Sequence, residues 1–262
     1  MSMVHAHDPE TSWRNQQRVQ FIKGFYKMRH IVLDLCRQYE QNEVIKHEMI
    51  DSLLESHLRN LKDLSHTLYR MPDTEQIDRK KQRLFDKVLG EVWHELDKAR
   101  DNIRLIEAYT EQSEESEDKM VRSINRLRFQ VLAVAQKDLP RQIRRTRRMM
   151  EKLVPLFEKI LPVYEKNEII CRSLYFSRKD LDPYCRPSTV EYFFPLLFGS
   201  LEAGYLALVK TLAQTKHISA AQGVLNEFRN YVSRHPKSAS LLKTAENELK
   251  TILKESPALK TT

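Results

Sequence analysis

Glu91 and His94 stand three residues apart, the spacing with which one helix of a di-iron carboxylate bundle offers two ligands to a metal. Such a centre takes a second Glu-x-x-His and two further glutamates, all pointing inward. The sequence holds a single copy, Glu91-Val-Trp-His94. The apolar line of its helix runs through Val92, Ala99 and Ile106, so His94 falls away from that line and Glu91 at its edge. The pair reads as a surface feature. His47 and His57 fall on the apolar side of their own helix, but ten residues make about 15 Å of rise, too far to share an ion. Each reads as a hydrogen-bonded core histidine, with Glu43, four residues earlier, as a partner for His47. Glu95 lies on the apolar side of its helix and reads as a helix-edge salt bridge. His5 and His7 form an H-x-H pair in a polar lead, and nothing is assigned to them. No metal and no cofactor is assigned anywhere in the chain.

Nucleophilic chemistry has no better footing. Cys36, Cys171 and Cys185 are an odd set without C-x-x-C spacing, which argues against a disulfide framework or a four-ligand zinc site and makes a reducing, cytoplasmic compartment the simplest expectation. The sequence has no G-x-S-x-G elbow, phosphate loop, dinucleotide fingerprint or H-E-x-x-H. Only five glycines occur in 262 residues, well below ordinary usage, so a glycine-rich phosphate cradle has nothing to be built from. No catalytic residue is assigned, and the chain reads as non-enzymatic.

The residues that could do something are cationic. Between 119 and 152 the sequence carries eleven Lys or Arg against two acids, Asp138 and Glu151, a net charge of +9 where the whole chain carries +8. Projected on a helix at about 100° per residue, Ile143, Met150, Leu153, Val154, Phe157, Ile160, Leu161 and Tyr164 fall on one side. Arg141, Arg144, Arg145, Arg148, Lys152, Lys159 and Lys166 fall on the other. Like charges three and four apart cost about 0.2–0.5 kcal/mol per pair in an isolated helix, and an acidic partner would remove that cost. The partner is either internal, namely Glu107 to Asp118 or glutamates on a neighbouring helix, or external. Arg141, Arg144, Arg145, Arg148 and Lys152 are the expected binding residues, with an acidic protein or a second copy of the chain as the first expectation. Nucleic acid, read through its phosphates and blind to sequence, is the alternative. Phe129 is the only aromatic in the stretch, so no base-stacking platform of the single-strand type exists, and no zinc-finger or RNA-recognition signature occurs. A membrane surface is disfavoured because the apolar side of this helix is expected to face a protein core.

The elements that must position these residues are helices. Phe21, Phe25, Met28, Val32, Leu35 and Tyr39 recur at alternating fours and threes, predicting a first helix over 12–40, with Ile22, Tyr26, Leu33 and Cys36 widening its stripe. Ile50, Leu54, Leu61, Leu64 and Leu68 predict a second over 42–70, ended by Met71-Pro72-Asp73, where Asp73 and Gln76 read as a capping box. A third runs over 74–109 with Ile77, Leu84, Val88, Val92, Leu96, Ala99, Ile103 and Ile106 inward. A fourth carries Met120, Ile124, Leu127, Val131 and Val134 inward, and Asp138-Leu139-Pro140 either kinks it or caps a fifth. The fifth reaches about 166 through the paired turns around Pro155 and Pro162, each a proline expected to bend it. Residues 177–189 read as a linker. A further helix opens on a Ser188/Glu191 capping box with Val190, Phe194, Leu197, Leu201, Leu208 and Leu212 facing the core. Gly199, Ala203, Gly204 and Ala207 in it leave room for a close neighbour. Ser219 with Gln222 caps the next, and a last helix spans 240–254.

Val224, Phe228, Tyr231, Pro236 and Ser238 resemble the second helix and turn of a tetratricopeptide-type hairpin, over about 205–250 only. That family places a small residue where Val224 stands and a glycine where Leu212 stands. The resemblance implies a helical hairpin able to pack on, or hold, another helix. The reading is therefore all-α: a long antiparallel bundle over 1–176, with 1–11 as a loose lead, and smaller helical hairpins over 177–262. No window is apolar and uncharged enough for a membrane span, and no apolar signal-peptide core follows the polar start.

Overall fold

The structure is a computed structural model, and it describes residues 9–71, 79–110, 119–161 and 167–255. The chain is all-α, with no strand among the described residues. Its contacts divide it into two compact units, Phe21–Leu161 and Met1–Gln20 with Pro162–Thr262. The division falls ahead of the 176/177 boundary expected from sequence because α6 packs with the helices that follow it.

The first unit is built from the part of α1 (Pro9–Glu40) that follows Gln20, with α2 (His47–Leu53), α3 (Arg59–Tyr69), α4 (Arg79–Thr110) and α5 (Lys119–Ile160). A single π-helical turn, Leu54–Leu58, joins α2 to α3 into one rod. The run is antiparallel throughout. Asp51 of α2 meets Arg100 and Arg104 of α4, and Ser65 of α3 meets Asp86 and Gln82 at the other end. Likewise α4 and α5 pair through Phe85 with Phe157, Glu95 with Arg145 and Asn102 with Gln142. The core is aromatic at one level: Phe25 stacks on Phe157 at 4.0 Å between ring centroids, Tyr26 meets the same ring edge-on, and Phe21 packs edge-on against Phe85. Offset and edge-on rings of this kind add to the stabilisation from area alone.

Several registers depart from the sequence expectation. The second rod starts at His47, not 42, because Asn42 takes a left-handed φ of 58° and the chain turns there. The π turn then shifts the buried line, so that Leu58 and Ser65 are buried and Leu64 lies half-buried. Leu84 is exposed and Phe85 takes the core place beside it. The predicted fourth and fifth helices are one: α5 runs unbroken through Pro140 and Pro155 and ends at Ile160. Ile77, the Asp73/Gln76 box, Glu111 to Asp118, Pro162, Tyr164, Lys166 and the His5/His7 pair lie outside the described residues.

In the second unit, Asn167 caps α6 (Glu168–Phe176) by accepting from the Ile170 amide, and its own amide donates to Asn15 of α1. The segment read as a linker is built in: it contains α7 (Arg178–Leu181), buries Leu181 and Cys185, and ties Asp182 to the Thr189 amide. The single helix expected after Ser188 is two. α8 (Thr189–Phe198) ends on Gly199 in the left-handed region, φ 78°, and α9 (Leu201–Gln214) starts from Ser200 at a bend of 90°. The two approach closely at Gly204, where a Cβ would sit 2.5 Å from Phe194. α10 (Ile218–Arg234) and α11 (Ala239–Glu255) pack on α9 as a hairpin, with His217, not Ser219, at the N-cap position of α10. Phe228 stacks on Tyr205, and Glu202 accepts from the Tyr231 and Ser238 hydroxyls. No single described helix is long and apolar enough to cross a membrane. The bent pair α8–α9 passes that test only when taken together, and Phe193, Phe194, Leu197, Leu208, Val209 and Leu212 of that pair are buried.

Candidate interaction surface on α5

The position of α5 follows from its buried line. Ala135, Leu139, Ile143, Thr146, Met150, Leu153, Phe157 and Ile160 are buried, a repeat of alternating threes and fours that keeps one side against α1 and α4. Carried back towards the start of the helix, that line falls on Val121, Asn125, Arg128 and Leu132, all half-buried. Arg128 lies over the Tyr109 ring, 5.9 Å from its centroid, one residue short of the end of α4. The first turns of α5 therefore run past the last described residue of α4.

The charge stripe is sorted by its partners. Arg145 reaches Glu95 at 3.3 Å, and Glu95 is buried. Arg147 donates to both carboxylate oxygens of Glu40, at 2.9 and 2.7 Å, and lies 3.5 Å from Glu151. These hydrogen bonds to Glu40 and Glu151 raise the Arg147 pKa above its ordinary value. Among the described residues Arg141 meets only the Asp138 carboxylate, one turn away at 3.5 Å and itself partly exposed. Arg144 turns its Nε to the Pro140 carbonyl of its own helix, at 3.1 Å. Arg148 and Lys152 are exposed, and like Arg144 they meet no carboxylate among the described residues. Of the five residues expected to bind, four remain open to solvent charge and Arg145 is committed to the bundle. Glu107, the first acid of the run expected to fold back on the arginines, is committed to His47.

The larger departure lies about two to five turns before Arg141. Ile124, Leu127, Val131 and Val134, expected inward, are exposed, Leu127 at 62% and Val134 at 60%. Met120 and Phe129 are exposed as well. The heptad was visible in the sequence, but its side was not. What separates it from the core is phase: the buried line of 135–160 extrapolates to Asn125 and Arg128, leaving the four-three apolar spacing about a quarter turn away.

Other candidate chemistry resolves into structure. Glu107, not Glu43, meets His47. One oxygen accepts from the His47 amide at the start of α2 and the other contacts Nδ1, while Glu48 stands 3.7 Å from the same nitrogen. His47, Glu48 and Glu107 could offer three donors to one ion, but a helix cap and a side-chain hydrogen bond already account for the arrangement. His57 is half-buried, with no hydrogen-bond partner for its ring among the described residues. Burial first, and Lys27 second, hold its pKa below the ordinary value. His94 is exposed and Glu91 half-buried. The three cysteines are buried and unbonded to one another. Burial pushes the Cys36 thiol up to about 12 and the Cys171 thiol upward too, which removes the thiolate that nucleophilic chemistry needs.

No family model matches the chain, no curated protein matches it, and no solved structure matches it.

Proposed function

We propose that this chain is a non-enzymatic helical interaction protein that presents the basic face of α5, through Arg141, Arg144, Arg148 and Lys152, to an acidic protein partner. The observation that supports this reading is the contrast along one helix: Arg145 and Arg147 have carboxylates from the bundle, whereas Arg144, Arg148 and Lys152 have none among the described residues. Adjacent unneutralised cations destabilise the helix that carries them, and an external anion offsets that cost.

The test is fluorescence anisotropy with a labelled polyglutamate peptide and a labelled DNA duplex, each titrated with the protein at rising salt. Polyglutamate should bind at low salt, and Arg144→Glu with Arg148→Glu should abolish the binding while leaving helicity unchanged. A duplex bound more tightly than polyglutamate, with a log–log salt slope of about −0.9 per phosphate neutralised, would replace the protein partner by a nucleic acid. Binding of neither probe would remove the basis of the reading.

A further inference from the structure

The basic face does not begin at Arg141. On a helical projection of about 100° per residue, Ile124, Leu127, Val131 and Val134 share one outward arc with Arg141, Arg148 and Lys152, and with Arg145, whose guanidinium Glu95 already holds. Their heptad positions are continuous: Leu127, Val134, Arg141 and Arg148 fall seven apart, and so do Ile124, Val131, Asp138, Arg145 and Lys152. The structure leaves the apolar half of this arc uncovered.

We infer that α5 carries one continuous, two-part docking seam, and that its occupant is an amphipathic helix of an acidic partner, with apolar residues against Ile124–Val134 and carboxylates against Arg141–Lys152. The inference rests on the reading of α5 as a docking surface for an acidic protein and adds the form of that partner. Three features select it. The apolar arc spans about 80°, the narrow strip of a coiled-coil seam and not the wide face that lies in a lipid interface. Lys119, Arg126 and Lys137 flank it, and no acid occurs between 119 and 137, so a second copy would set cation beside cation where coiled coils choose partners by charge. An acidic helix sets opposite charges there. Finally, Ile124, Leu127, Val131 and Val134 are exposed while Val121, Asn125, Arg128 and Leu132 of the same helix are half-buried, so a docked helix would cover the apolar arc without displacing the side that continues the buried line.

The probes are synthetic peptides of about five heptads. One carries leucine at the a and d positions of its first half and glutamate at those positions of its second half, and another has the two halves exchanged, so that both helix directions are covered. A third keeps the glutamates and replaces every leucine by serine. One of the two-part peptides should bind at least about tenfold more tightly than the serine peptide. Leu127→Asp with Val131→Asp should erase that margin and leave binding of the serine peptide unchanged, while Arg144→Glu with Arg148→Glu should weaken both. Leu127→Ser with Val131→Ser repeats the measurement without adding charge, and far-UV circular dichroism checks that each variant stays folded. Equal affinity for two-part and serine peptides would overturn the seam while leaving the acidic-partner reading in place. No binding by any peptide would overturn both. A dimer by light scattering that Leu127→Asp dissociates would assign the seam to a second copy. Binding to phosphatidylserine vesicles that Leu127→Asp abolishes, without peptide binding, would assign it to a membrane surface.

Discussion

Arg145 on α5 and Glu95 on α4 stand 3.3 Å apart, with the Glu95 side chain 8% exposed and the Arg145 side chain 57% exposed. The carboxylate has been taken out of water and the guanidinium has not. Removing the arginine leaves a buried acid without its counter-charge, whereas removing the acid leaves an arginine that water still solvates. Arg145→Ala should therefore cost about 1 kcal/mol, a figure held down by solvent screening on the arginine side. Glu95→Leu should be neutral or stabilising, since an apolar side chain suits the site. Urea unfolding of the two variants checks the asymmetry, and equal losses would contradict it.

Stability and binding should move in opposite directions at Arg148. It stands three or four residues from Arg144, Arg145 and Lys152, and each like-charge pair costs about 0.2–0.5 kcal/mol in a helix. Arg148→Glu turns these three repulsions into attractions and the one attraction, to Glu151 three residues on, into a repulsion, so the variant should be more stable than the parent by about 1 kcal/mol. Its affinity for an acidic probe should fall at the same time. Thermal melts beside anisotropy titrations read both quantities. A variant that loses stability along with binding would mean that Arg148 has an acid within the fold.

What the sequence made legible was local. Four-three spacing is imposed by helical geometry, so the helices and the aromatic core at Phe25 and Phe157 could be read directly. Which side of a heptad meets a neighbour depends on its phase against the packed line. Ile124, Leu127, Val131 and Val134 have the same spacing as Ile143, Met150, Leu153 and Phe157, yet only the second set falls on the buried line of α5. The π turn at Leu54–Leu58 and the break at Gly199 are further cases, for each changes phase without a proline to announce it. Of the basic stripe, position and exposure were legible. The withdrawal of Arg145 by Glu95, fifty residues away, required the pairing of α4 with α5.

Gly204 should tolerate no side chain. It sits on α9 with its α-carbon facing the Phe194 ring of α8, and a methyl group there would stand 2.5 Å from that ring. Phe194 is buried and packs edge-on against Tyr205, so it has little room to yield. Gly204→Ala would gain helix propensity of roughly 1 kcal/mol, but overpacking of a filled core costs about 1–3 kcal/mol. The net effect should be destabilising, and Gly204→Val more so. Chemical denaturation decides it, and a Gly204→Ala protein more stable than its parent would show that the α8–α9 bend can open without loss.

Glu202 should make the second unit sensitive to acid. Its carboxyl is held below the ordinary carboxylate range, first by a hydrogen bond from its own backbone amide, then by the Ser238, Tyr231 and Ser200 hydroxyls, with burial acting in the opposite direction. A folded-state pKa below the unfolded value of about 4.3 means that the unfolded chain takes up the proton first. The stabilisation is fully present above that unfolded value and is lost as pH falls through the folded one. Glu202→Gln should be less stable than the parent near pH 7, and the gap should close in acid below about pH 4. Urea titrations of both proteins at the two pH values test this. A gap that stays constant from neutral to acid would show that the Tyr231 and Ser238 hydroxyls are served equally well by an amide and that ionisation of Glu202 contributes nothing to the hairpin.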